Sequence, residues 1–212
     1  VRLRGTHNEY KTRRTEIEIL ISSDVDFGSS GFLYATLATK NSTYLPLHIN
    51  ADFYPDQSRT SILFPDTADE PQSRWNARVV LEAAKILSNE IPKIHNSLGN
   101  EIVWEVIRAA YRVHSQETSG IPECYRHFWE QIGAQATDYQ IVEDSKGEFQ
   151  VASAITCVPI SFLETGKLCA TQLGIRHQAS IHDKDQSILE ALGSQILTQS
   201  KVAEAILKKS SY

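Results

Sequence analysis

Apolar residues occupy alternate positions through LPLHINADFY: Leu45, Leu47, Ile49, Ala51 and Phe53 share one side, with His48, Asn50 and Asp52 on the other. Successive side chains of a strand point to opposite faces, so this stretch is expected to be extended with one face buried. TEIEILIS makes the same demand, with Ile17, Ile19 and Ile21 set against Glu16, Glu18 and Leu20. SSDVDFGSSG reads as a turn, FLYATLATK as a second strand, NSTY as another turn, and TSILF as a short fourth strand. A sheet assembled this way is antiparallel or mixed, and its apolar face needs a second layer to cover it.

The period changes at Ser73, which is expected to cap a helix bearing Trp75, Val79, Ala83, Ile86 and Leu87 on one side. Pro92 is expected to kink or end that helix near Glu90. Asn100 is placed as the cap of a second helix with the stripe Ile102, Val103, Val106, Ile107 and Ala110. A third, short helix opens at Pro122 and carries Tyr125, Phe128, Trp129 and Ile132 to Gly133. YQIVE, the turn DSKG and EFQVASAITCV read as a hairpin, and DQSILEALGSQIL and SKVAEAILKK are amphipathic. The class implied is α+β, a small mixed sheet packed by helices and then a helical region with a β-hairpin. SQETSGIP suggests a boundary, dividing the chain into residues 1–118 and 119–212.

Composition excludes some functions. A formal net charge of −5 argues against a broad nucleic-acid face. No run approaches the roughly 18 apolar residues of a membrane span, so a membrane partner is not expected. The three cysteines, Cys124, Cys157 and Cys169, are widely spaced and odd in number. That pattern fits neither a disulfide scaffold nor a zinc knuckle, and a reducing, cytoplasmic setting is expected. The chain begins with Val1 and contains no Met, so it is read as a piece of a larger protein.

Spacing alone yields few chemical candidates. Asp24 and Asp26 stand at a spacing that can bind a divalent metal, although a solvated turn gives the same letters. Seven histidines, at 7, 48, 95, 114, 127, 177 and 182, include no H-x-x-x-H pair, and packing and surface roles are expected. His127 follows Cys124 by one helical turn, too few groups for a metal site. Glu143, Asp144 and Lys146 resemble a nuclease carboxylate–lysine cluster, or simply a charged hairpin tip. No nucleophile elbow surrounds a serine or cysteine. No metal site is therefore assigned.

One larger pattern stands out. Leu45, Pro46, His48, Asn50 and Phe53, running on to Arg59 and then to a helix opening with Trp75 and Asn76, resemble the sacsin family. The likeness is to the segment after the nucleotide-binding lobe in ATPases related to the heat-shock chaperone, gyrase, histidine kinases and MutL. It is best over residues 44–90 and weaker over 124–197, and it departs at Ala51, where glycine is common. The chain has no N-E-x-x-D/N helix, D-x-G-x-G loop or glycine-rich lid. The resemblance thus implies ATP and Mg²⁺ in a lobe outside this segment, with no cofactor in the segment itself.

It further implies a transducer-like domain, ribosomal-protein-like in fold, that supplies a cation to the γ-phosphate when the domains close. Such a cation stabilises phosphoryl charge only in the closed state, which couples nucleotide to conformation. Lys40, on the ATK-NST loop, and Arg59 are the candidates for that role. His48 and Asn50 complete the candidate cofactor-side set and are expected to hydrogen-bond the loop that carries Arg59. Trp75 is expected to anchor the helix on the sheet, and Asn76 to cap it or bridge to the strand. The implied partners are the ATP-binding lobe of the same polypeptide and a client protein. Two other readings stand beside this one: a metal-dependent hydrolase or nuclease, and a plain protein-interaction module.

Overall fold

A computed structural model describes residues 2–10, 13–21, 30–67, 70–115 and 120–209. The chain folds as two compact units, Val1–Ile132 and Gly133–Tyr212, of α+β class. The division falls C-terminal to the 118/119 position read from the sequence. Tyr125 explains why, since it belongs to the core of the first unit. It is fully buried, edge-on to Tyr44 and Phe64 at 5.2 and 5.8 Å and stacked on Phe128 at 6.3 Å.

The first unit holds a five-stranded mixed sheet in the order β1-β2-β5-β3-β4. Its strands are β1 (Arg2–Tyr10), β2 (Arg13–Leu20), β3 (Phe32–Ala35), β4 (Leu37–Ser42) and β5 (His48–Asn50). β1 pairs antiparallel with β2, β2 with β5 and β3 with β4, while β3 and β5 run parallel. Ile49 sits opposite both Ile19 and Leu33, and all three are fully buried. β1 lies in the stretch read as β but is not singled out as a strand by the sequence, because RLRGTHNEY lacks an apolar alternation; its ladder with β2 makes it one.

Three strand expectations need correction. FLYATLATK folds back on itself as β3 and β4, with Ala35 opposite Leu37 and Thr36 in the left-handed region at φ +69°. The stretch contains no glycine, proline or asparagine to mark that bend. LPLHINADFY pairs only over His48–Asn50, although Leu45, Leu47, Ile49, Ala51 and Phe53 are all buried as the alternation requires. At its two ends Leu47 N–H donates to Leu45 C=O and Phe53 N–H to Ala51 C=O, both at 2.8 Å, so the ladder stops there. TSILF is not a strand either: only an isolated bridge joins Pro55 and Ile62, with Ile62 and Phe64 buried.

Gly31 is fixed by a close approach. Its N–H donates to Leu45 C=O and its C=O accepts from Thr43 N–H, and a Cβ there would lie 1.8 Å from the Leu47 carbonyl oxygen.

Helix α1 (Pro71–Leu98) packs on the sheet and on α2 (Asn100–Ser115). Its N-cap is Glu70 rather than Ser73, with Pro71 opening the first turn. Ser73 sits three residues in and accepts a hydrogen bond from Glu70 N–H at 3.0 Å. Pro92 lies inside the helix and does not end it. Proline forfeits one backbone bond, and burial of Ile91 and Ile94 beside it holds the helix together. The Asn100 side chain does not cap α2, since its buried amide nitrogen and oxygen have no partner. A 3₁₀ turn over Glu123–Arg126 leads into α3 (His127–Gln135).

The second unit contains the expected hairpin, shortened to β6 (Val142–Glu143) and β7 (Phe149–Gln150), and a parallel pair, β8 (Thr156–Cys157) and β9 (Gln195–Ile196). Its helices are α4 (Leu163–Leu173), α5 (Gln186–Ala191) and α6 (Gln199–Lys209). Val158, Ala170 and Leu197 form a small core with Leu163, Ile175 and Val202. Among the described residues, no helix is long and apolar enough to cross a membrane.

Two adjacent residues fasten α1 to the chain that follows β5. Trp75 Nε1–H donates to Asp52 C=O at 2.9 Å, as its anchoring role requires. The fully buried Asn76 accepts from Tyr54 N–H through Oδ1 at 2.8 Å, and its Nδ2 donates to Tyr54 C=O at 2.8 Å and Leu63 C=O at 3.0 Å. An Asn76→Ala variant strands these groups away from water and is expected to lose about 3 kcal/mol of stability in urea unfolding. A loss below about 1 kcal/mol, the net value of one ordinary hydrogen bond, would refute the stapling role.

Candidate functional site

Residues 56–61 form a turn built around one carboxylate. Asp56 N–H donates to Ser61 C=O at 2.7 Å, and Arg59 N–H donates to Asp56 C=O at 2.9 Å. The Asp56 carboxylate accepts from the Ser58 hydroxyl at 2.8 Å, Thr60 N–H at 3.0 Å and Ser61 N–H at 3.3 Å. Arg59 occupies the left-handed region at φ +58°, a conformation that side chains bearing a Cβ disfavour. The turn is tied to β4 at two points. Lys40 N–H donates to Thr60 C=O at 2.8 Å, and the Asn41 amide exchanges bonds of 3.0 and 2.6 Å with the C=O and N–H of Ile62.

This arrangement brings Lys40 and Arg59 to one edge of the sheet. Lys40 lies within β4 rather than on a loop. Both residues are exposed, and among the described residues neither side chain has an ion-pair partner. Two cations beside a stiff turn can receive an anionic group.

The Ser58 hydroxyl above all, aided by backbone N–H groups, holds the Asp56 carboxyl below its usual pKa. A depressed carboxylate keeps its stabilising bonds above the unfolded-state pKa and loses them as pH falls through the folded value. The Thr60 and Ser61 amide proton shifts should therefore titrate together, with a midpoint below that of a free aspartate. A midpoint at or above the free value would contradict the turn geometry.

His48 and Asn50 do not hydrogen-bond this turn, contrary to expectation, because their bonds lie on the sheet face itself. His48 Nδ1 accepts from Phe32 N–H at 3.0 Å, which leaves the ring proton on Nε2. Its ring stacks on Phe32 at 6.2 Å and meets Tyr34 edge-on at 5.6 Å. Asn50 Nδ2 donates to Glu18 Oε2 at 3.4 Å, and Glu18 also pairs with Arg2. Beside them is a cavity of about 640 Å³ lined by Arg2, Glu16, Glu18, Thr36, Asn50, Ala51 and Asp52. This face offers an aromatic shelf and hydrogen-bonding carboxylates. Among the described residues, it brings together no nucleophile with its base.

The other candidates separate clearly. The Asp24/Asp26 pair and the side chain of His7 lie outside the described residues. Asp144 is buried; its Oδ1 accepts from Lys146 N–H at 2.8 Å and Glu148 N–H at 3.0 Å, and its Oδ2 lies 3.2 Å from Arg176 Nε. That carboxylate anchors the hairpin turn, so the Glu143/Asp144/Lys146 cluster is structural at its centre. His182 is fully buried, 3.3 Å from Asp185 through Nδ1, with Nε2 accepting from Glu143 N–H at 3.3 Å. Both ring nitrogens are thus occupied. His127 pairs with Glu130 at 2.5 Å. Among the described residues, no three His, Cys, Asp or Glu side chains converge as metal ligands.

Asp56 and Asn41 were missed as site residues. Only the Pro-Asp turn signal hinted at the first, and nothing local distinguishes the second.

All three cysteines are free. Burial, then nearby Asp66, pushes the Cys124 thiol up, and burial with Glu190 and Asp183 pushes Cys157 up to about 11. Thiolate is the reactive form, so iodoacetamide should alkylate half-exposed Cys169 in the native protein and the other two only on unfolding. Native-state labelling of Cys157 at a rate matching Cys169 would overturn this assignment.

No protein-family model matches the chain, and a search of curated proteins finds no match.

Proposed function

We propose that this chain is a transducer-like segment of a sacsin-like, chaperone-type ATPase that relays nucleotide state to a partner or client protein. The observation that carries this reading is the Lys40–Thr60 backbone bond, which sets the turn bearing Arg59 beside the strand bearing Lys40. A cation on a braced turn can meet a phosphate in a closed state with little ordering cost, which is what a nucleotide sensor requires. ATP and Mg²⁺ then belong to a lobe of the same polypeptide outside this segment. A mixed sheet backed by α1 suits such a relay, and three free cysteines agree with a reducing, cytoplasmic setting.

A plain interaction module is the second reading. It is favoured by the Phe32–His48–Tyr34 shelf on the sheet face, where Phe32 remains exposed.

ATP turnover by the full-length parent, wild type against Arg59→Ala and Lys40→Ala with ATP binding measured in parallel, separates the two. The relay reading expects one variant to keep binding and lose about tenfold in turnover, about 1.4 kcal/mol of transition-state stabilisation. Wild-type turnover by both variants, or no turnover by the parent, transfers the case to the interaction module.

A further inference from the structure

We infer that Asp56 is the positioning residue for Arg59: it fixes the backbone that presents the cation while its own charge is engaged elsewhere. The inference rests on the reading of Arg59 as a phosphate sensor.

A carboxylate three residues before an arginine in a tight turn is an obvious ion-pair partner for it. Here the Asp56 oxygens are instead taken up by the Ser58 hydroxyl and by the N–H groups of Thr60 and Ser61. Among the described residues, the Arg59 side chain has no ion-pair partner. The acceptors of Asp56 also flank the strained residue: Arg59 N–H bonds the Asp56 carbonyl, and the next two N–H groups bond its carboxylate. Fixing three consecutive N–H groups on one residue leaves Arg59 little freedom to leave φ +58°. Asn41 has a separate task. Its side-chain amide ties Ile62 to β4 through both backbone groups, so it locates the turn without setting the arginine's conformation.

Losing the Asp56 carboxylate therefore removes two of the three bonds that hold Arg59, those from the N–H groups of Thr60 and Ser61, and leaves the arginine's charge in place. Asparagine preserves one oxygen acceptor for the Thr60 and Ser61 N–H groups, and alanine preserves none.

The test compares Asp56→Ala, Asp56→Asn, Arg59→Ala and the Asp56→Ala/Arg59→Ala double variant in the full-length parent. ATP turnover, ATP binding, and amide exchange at Thr60 and Ser61 are measured for each. Expected results are faster exchange and about tenfold lower turnover for Asp56→Ala with ATP binding kept, and recovery of both in Asp56→Asn. The double variant should be no worse than Arg59→Ala, because residues acting through one another are not additive. Unchanged amide exchange in Asp56→Ala overturns the positioning claim whatever the turnover. So does wild-type turnover by Asp56→Ala beside a defective Arg59→Ala, or additive losses in the double variant. If Arg59→Ala itself turns over like wild type while exchange responds as expected, the sensor reading has failed and takes the inference with it.

Discussion

A side-chain amide that imitates a peptide group is the interaction on which the sheet unit depends. After β5 the ladder ends, yet the chain from Asp52 to Phe64 stays against α1 with Phe53, Ile62 and Phe64 buried. Asn76 makes this possible by presenting one acceptor and one donor to both backbone groups of Tyr54. The same two-bond ring recurs between Asn41 and Ile62 and, in the second unit, between Gln178 and Val158 at 2.9 and 3.2 Å. An apolar side chain at any of these positions would leave backbone groups without partners, at about 1–3 kcal/mol for each one buried. Side chains thus replace strand pairing wherever the strands are too short to supply it.

The two aspartate-centred turns show how one motif can serve opposite ends. In 144–148 the carboxylate accepts backbone N–H bonds and also pairs with Arg176. In 56–61 the second set of lone pairs goes to a serine hydroxyl instead. The first turn is charge-neutralised and buried at its aspartate. The second leaves an arginine exposed beside it. That difference, rather than the presence of charged residues, separates a structural turn from a candidate site.

Burial was more legible in the sequence than pairing was. The alternation in LPLHINADFY correctly placed five residues in the core because burial follows side-chain direction. It overstated the strand because local bonds at Leu45–Leu47 and Ala51–Phe53 preserve that direction without a ladder. The bend at Thr36 was invisible because no turn-forming residue marks it, and β1 because its pairing comes from β2 rather than from its own pattern. Helix α1 was found by periodicity, but its continuation past Pro92 depends on buried neighbours that no local rule contains. Of the candidate site, Lys40 and Arg59 could be named from the sequence. The tie between β4 and the turn that bears Arg59 could not, since it is a backbone bond between residues 40 and 60.

The sheet unit reverses direction at Thr36, Tyr44 and Arg59, each with a side chain in the left-handed region at φ +69°, +59° and +58°. Left-handed backbone costs roughly 1–2 kcal/mol for a residue with a Cβ, against a total folding margin of about 5–15 kcal/mol for a typical domain. The β3–β5 half of the sheet is therefore held like a bent spring, under tension at its corners and latched by the amide rings and the Asp56 turn. The edge that bears Lys40 and Arg59 is thus the costliest part of this unit to shape, and it keeps its form only while the Asp56 bonds and the Asn41 ring are made.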